Sequence, residues 1–132
     1  MAEVGSYLYL AKKDLISANQ IKTAGDTGLY SRLCEQAVEK ALKHFILLHG
    51  NPSDIGLLST HKPMRLYKRC NDLNLKLELS KDDLIILSQL DDYYFDTNYP
   101  GNGWFEPERE DVDLAYELAN KIVKHVENLL KS

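Results

Sequence analysis

The sequence has little of what marks secreted, membrane-spanning or metal-bound chains. It holds two cysteines, Cys34 and Cys70, with no partner at metal-ligand spacing. Both fall at apolar positions of predicted helices, so two buried thiols fit them better than a disulfide. No run of about 18 apolar residues occurs, and no segment reads as a membrane span. The amino terminus, Met1 to Ser6, has no basic start followed by an apolar stretch, which predicts a cytoplasmic protein without membrane association. Positive charge is not in excess either. Sixteen Lys and Arg against twenty Asp and Glu give a formal net charge of −4, which removes the bulk argument for a general nucleic-acid binder, because phosphate neutralisation needs a concentrated basic surface. There is no glycine-rich phosphate loop, no Gly-x-Ser-x-Gly elbow and no Cys/His cluster, so neither a cofactor nor a metal is expected. Internal repeats and low-complexity tracts are absent as well.

What is present is an ordinary globular composition, 44% hydrophobic and 27% charged over 132 residues, which predicts one domain spanning 1–132 with a core of its own. Five segments carry helical periodicity. The first, Ser6 to Thr23, spaces Leu8, Ala11, Leu15 and Ala18 by three or four and turns Lys12, Lys13 and Asp14 outward. The second, Leu29 to His49, has two neighbouring apolar rows. Leu29, Leu33, Ala37, Ala41, Phe45 and Leu48 form one, and Tyr30, Cys34, Val38, Leu42 and Ile46 the other. So wide an apolar arc predicts a central helix covered on more than one side. Gly50 suits the left-handed position after its last turn. A third helix is expected from Lys62 to Leu73, with Thr60 or His61 near its cap and Leu66, Cys70 and Leu73 inward. The fourth begins after Ser80, a capping hydroxyl, and carries Leu84, Leu87, Leu90 and Tyr94. Pro107 fits the first turn of the fifth, which runs through Ala115, Leu118, Ile122, Val126 and Leu129.

One stretch alternates like a strand, Leu73-Asn74-Leu75-Lys76-Leu77-Glu78-Leu79, but no second alternating run exists to pair with it. It reads as an extended connector, and the fold class that follows is all-α, an up-down antiparallel bundle of four to five helices.

Three groups of residues could carry chemistry. The segment Asp96 to Glu106 combines Tyr99, Trp104 and Phe105 with Asn98, Asn102 and two glycines. Rings of this kind stack on bases, Asn reads hydrogen-bonding edges, and Gly lets backbone approach a ligand; the alternative is that these rings cover the open end of the bundle. His61, Arg65 and Arg69 recur at intervals of four and would form a cationic stripe facing a phosphate, or simply a solvated face. The run Glu35 to Lys43 sets Glu35 and Glu39 in mild repulsion and Glu39 and Lys43 in a favourable pair, ordinary helix-surface charge on spacing alone. Lys40 with His44, and Lys121 with His125, are spaced as acid and base could be, but surface residues are the plainer account.

The run Glu35-Gln36-Ala37-Val38-Glu39-Lys40-Ala41-Leu42-Lys43 resembles the second-helix signature of HEPN domains, the higher eukaryotes and prokaryotes nucleotide-binding family. Gly50 closing that helix, Thr60-His61 opening the third, and Tyr94 followed by Asn98-Tyr99-Pro100 before a long last helix agree in order, from about Tyr7 to Leu130. The resemblance implies a helical bundle with an extra short helix, often a homodimer, that works on a nucleotide or RNA. It also implies a minimal nucleotidyltransferase as a partner in a toxin-antitoxin or defence setting. Several members are metal-independent ribonucleases whose Arg is followed, after four to six residues, by a His. None of Arg32, Arg65, Arg69 and Arg109 is followed by His at that spacing, and Asn98 stands where an Arg commonly precedes Tyr-Pro. The resemblance therefore implies a non-catalytic binding module, with Tyr94, Asn98, Tyr99, Trp104, His61, Arg65 and Arg69 as ligand-binding residues. A ribonuclease with a degenerate site and a purely structural dimerisation domain are the alternatives.

Overall fold

The computed structural model describes residues 5–96 and 106–131, and of residues 94–96 the backbone alone. Five α-helices follow one another: α1 (Tyr7–Ile21), α2 (Thr27–His49), α3 (Pro63–Asp72), α4 (Lys81–Asp96) and α5 (Arg109–Lys131). A 3₁₀ turn at Pro52–Ser59 stands between α2 and α3. No strand occurs among the described residues, and the architecture is the all-α bundle that periodicity predicts.

Most helices start where a nearby side chain can accept the free amides of the first turn. Ser6 Oγ accepts from Tyr9 N at 3.1 Å to open α1, and Asp26 Oδ1 accepts from Leu29 N at 2.9 Å to open α2 two residues earlier than its apolar rows suggest. Ser80 Oγ accepts from Asp83 N at 3.0 Å to open α4, as expected. The head of α3 is capped differently. Neither Thr60 nor His61 supplies the acceptor; Asp91 of α4 reaches across and takes the Met64 amide at 3.1 Å. Pro107 is buried just ahead of α5, two residues before its first helical residue Arg109.

The central position of α2 follows from its apolar arc. It touches α1, α3, α4, α5 and the 3₁₀ turn, and Tyr30, Cys34, Ala37, Val38, Ala41, Leu42, Phe45 and Ile46 are all buried along it. Leu29 and Leu48, at the two ends of the outer row, are exposed instead. The inward residues of α1 are the four expected, Leu8, Ala11, Leu15 and Ala18. Its outward charges join it to neighbours: Lys12 Nζ to Glu127 of α5 and Asp14 to Lys40 Nζ of α2 at 2.6 Å. His44 is not a surface residue paired with Lys40. Its Nδ1 accepts from Leu8 N at 3.3 Å, and burial pushes its pKa down, so the neutral ring serves as an acceptor for the start of α1.

Gly50 corrects the expectation of a left-handed cap. Its φ of −81° and ψ of −177° are open to any residue; what demands glycine is space. A Cβ there would stand 2.7 Å from Ile46 O and 2.7 Å from Asp54 Oδ2. Asp54 is held at that distance because it accepts from Asn51 N at 2.9 Å and from Arg69 through both oxygens, at 2.8 and 2.9 Å.

The alternating stretch is a connector without a strand partner among the described residues; the amides of Leu73, Asn74 and Leu75 donate to carbonyls at the end of α3, and side chains serve further groups. Tyr67 Oη donates to Leu77 O at 2.7 Å, Leu77 N donates to Asn71 Oδ1 at 3.3 Å, and a His125 ring nitrogen lies 2.7 Å from Leu75 O. Leu75 and Leu77 are buried while Asn74, Lys76 and Glu78 are exposed, which explains the period of two. Asn74 and Lys76 adopt positive φ, 71° and 56°, so the chain turns at each of these outward residues rather than extending. Cys34 and Cys70 are free, buried thiols, and burial pushes both up, Cys70 to about 12. They are unreactive packing residues.

Candidate functional site

The row Glu35, Glu39, Lys43 lies on one face of α2 because its members are four apart. In an isolated helix this face would be solvated. In the bundle Glu35 is 0% exposed, Glu39 2% and Lys43 6%, so the reading of these residues as surface charge is overturned. The reason is that α2 is packed by neighbouring elements along this face as well, and no room is left there for water.

Burial of three ionisable groups requires that they satisfy one another. Lys43 Nζ donates to Glu39 Oε1 at 2.7 Å. Gln36 Nε2 donates to Glu35 Oε1 at 2.7 Å and to Glu39 Oε2 at 3.1 Å, tying the two carboxyls together. Glu35 Oε2 is buried with no hydrogen-bond donor facing it. Burial, with the hydrogen bond to Glu39 and its charge, pushes the Glu35 carboxyl far above the usual carboxylate range. For Glu39 burial acts upward, but the Glu35 proton, the Lys43 hydrogen bond and charge, and His61 outweigh it and hold Glu39 below the usual range. The consistent state is a protonated Glu35 donating to an ionised Glu39, with Lys43 supplying the balancing charge.

His61 is the outlet of this network. It precedes α3, and its Nδ1 lies 3.2 Å from Glu39 Oε1 and 3.4 Å from Oε2, while its side chain stays 36% exposed. A half-exposed imidazole with one nitrogen on a buried carboxylate has a fixed orientation, the arrangement that positions histidines for proton transfer or anion contact.

The three cations at intervals of four do not form one stripe. His61 lies outside the helix, and Arg69 is turned away to clamp Asp54 in a bidentate pair that raises the Arg69 pKa and depresses that of Asp54. The exposed cations here are instead Lys62, at the cap position before α3, and Arg65 and Lys68 on α3 itself, three apart in sequence. Burial raises the Asp91 pKa, and the Met64 amide with the charges of Lys62 and Lys68 offsets part of that rise. Arg65 is in no salt bridge among the described residues.

Of the other predicted site residues, Asn98, Tyr99 and Trp104 lie outside the described residues, as does the side chain of Tyr94. Lys121 pairs with Asp83 at 3.0 Å and its neighbour His125 turns to Leu75 O, so neither Lys-His spacing is an acid-base pair. Among the described residues no group of His, Cys, Asp and Glu could hold a metal, and no helix is long and apolar enough to cross a membrane. Sequence reasoning missed Glu35, Glu39 and Lys43 as site residues. Their one signal was that the row sits inside the run that carries the family resemblance.

Residues 4–129 match the sequence model of a family described as HEPN domain. Among solved structures, TT1696 from Thermus thermophilus is similar with a TM-score of 0.70 at 26% identity, over 92% of this chain and 94% of that one. ST0689, described as an archaeal HEPN homologue, is similar with a TM-score of 0.64 at 23% identity, over 98% of each chain. No curated protein matches.

Proposed function

The chain belongs to the HEPN domain family, and we propose that within it this chain is a non-catalytic module that binds the phosphates of a nucleotide or RNA at the head of α3. The observation that carries the reading is His61, fixed by Glu39 of the buried network and standing beside exposed Lys62, Arg65 and Lys68. On a chain of net charge −4, this is a local cationic face with one pre-oriented member, and such contacts position a phosphate without reading sequence. Arg65, with its planar fork and no salt bridge among the described residues, supplies the bidentate contact. Tyr99 and its neighbours enter from the sequence alone, as ring surfaces for a base. A second copy of the chain and a minimal nucleotidyltransferase, in a toxin-antitoxin or defence setting, are the partners this reading carries with it. Titration of ATP and short RNAs onto the protein, Arg65→Ala and Tyr99→Ala tests it. Arg65→Ala is expected to weaken binding about tenfold, the size of one charge-assisted contact. Equal binding by all three, or none by any, removes these residues from the account.

The Glu39–His61 contact favours one second reading, a metal-independent ribonuclease in which His61 takes the proton of a ribose 2′-hydroxyl while Glu39 orients the ring. It predicts RNA cleavage in the presence of a chelator that His61→Ala abolishes. RNA left intact after long incubation at high protein concentration would end that reading.

A further inference from the structure

Between α4 and α5 lies a groove of about 560 Å³, lined by neither His61 nor Lys62, Arg65 and Lys68. Its floor is apolar: Ile85 is 58% exposed and Leu114 48%, with Ile86 and Leu118 also lining it. Around these residues stand Asp82, Asp83, Asp111 and Glu117, and the one cation among the described lining residues is Lys121. Lys121 is already taken by Asp83 at 3.0 Å across the groove, which leaves Asp82, Asp111 and Glu117 in no salt bridge among the described residues. A second hollow of about 270 Å³ shares Gln89 and Asp111 and is lined by Asp92, Glu106 and Glu108 as well, so the acidic rim extends along α4 to the segment ahead of α5.

We propose that this groove docks a basic amphipathic helix of a partner protein, its apolar residues seated on Ile85 and Leu114 and its Lys or Arg side chains flanking them against the acidic rim. Three features of the groove select this occupant. Two packed helices with an apolar floor between them accept a third helix by presenting residues to its apolar stripe. At about 1.5 Å per residue, Lys81 to Tyr93 runs about 18 Å, room for roughly three turns. With Lys121 paired to Asp83, the charge left on the described lining is negative, so it favours a cationic partner and disfavours an acidic one. A second copy of the chain meeting this face across a two-fold axis would set acidic rim against acidic rim, the like-charge contact that isologous pairing cannot avoid.

The test uses fluorescence anisotropy of a labelled helical peptide of about three turns, with Leu along one face and Lys along the other, titrated with the full chain. A peptide with Glu in place of each Lys is titrated in parallel. Binding of the Lys peptide alone is expected, weakening as salt rises. It should weaken at least about tenfold in Ile85→Lys and in Glu117→Lys, the latter altering charge without touching apolar packing. Ile55→Lys, an exposed residue of the 3₁₀ turn, should bind as the parent does. Failure of the Lys peptide to bind, equal binding of the Glu peptide, or equal loss in Ile55→Lys overturns the proposal. So does a dimer, seen by sedimentation, that Ile85→Lys converts to a monomer, because the groove would then belong to a second copy.

Discussion

Lys43→Met is expected to destabilise the protein by about 3–5 kcal/mol, a large share of the roughly 5–15 kcal/mol that holds a domain of this kind together. Methionine nearly preserves the volume, so the loss is electrostatic. Glu39, 2% exposed, would keep its charge with its closest cation gone, held only by the Glu35 proton, Gln36 and His61. An ion pair buried this deeply adds little net stability as a pair, but removing one partner strands the other in a place where water cannot reach it. The comparison that gives the number meaning is Lys40→Met on the same helix. Its pair with Asp14 at 2.6 Å is partly solvated on both sides, and the expected cost is under about 1 kcal/mol. Urea unfolding midpoints of the two variants measure the difference. If Lys43→Met unfolds no more readily than Lys40→Met, the buried network does not carry the stability assigned to it.

Glu35→Gln is expected to do the opposite, and to do it in a pH-dependent way. The Glu35 carboxyl titrates far above the usual range in the folded chain, because of its burial and its hydrogen bond to Glu39. In the unfolded chain it titrates normally. Between those two values the folded state retains a proton that the unfolded state has released, so rising pH favours unfolding across that whole window. Glutamine carries a permanent donor where protonated Glu35 carries a titrating one, and it keeps the contacts to Gln36 and Glu39. The variant should gain at least about 2 kcal/mol over the parent at pH 8. The advantage should shrink as pH falls and vanish near the unfolded carboxylate pKa. Glu39 works in the other direction: its folded pKa is depressed, so both proteins should lose stability together as pH drops through that lower value. Thermal midpoints from about pH 3 to about pH 8, which cross the ordinary carboxylate value and enter the window below the raised Glu35 pKa, check this. Parallel curves for parent and variant would mean that Glu35 holds no extra proton when folded.

These two variants show where sequence reading stops. The helix row Glu35, Glu39, Lys43 was visible, and so was the favourable Glu39–Lys43 pair. Their depth was not, because spacing fixes which residues share a helix face and says nothing about what covers it. The stripe of His61, Arg65 and Arg69 failed for a related reason. It assumed one continuous helix, whereas the chain before Pro63 is not helical and Asp54, distant in sequence, claims Arg69. Gly50 suits a helix end on sequence grounds, but the space it leaves is required by the carboxylate of Asp54 and the carbonyl of Ile46, not by its own dihedral angles.

By itself the sequence determined the all-α class, the five helices to within a few residues, the inward faces of α1 and α5, the unpaired connector with its alternating leucines, and the family. All of these follow from local periodicity, capping and turn chemistry, which act over a few residues and leave their mark on the chain directly. The tertiary structure alone decided that a charged row of α2 is interior, that His61 is held by it, that Lys62, Arg65 and Lys68 form the cationic face, and that α4 and α5 leave an acid-rimmed apolar groove. Each of these depends on which helix packs over which face, and burial, the strength of a charge and the position of a proton are set by that packing.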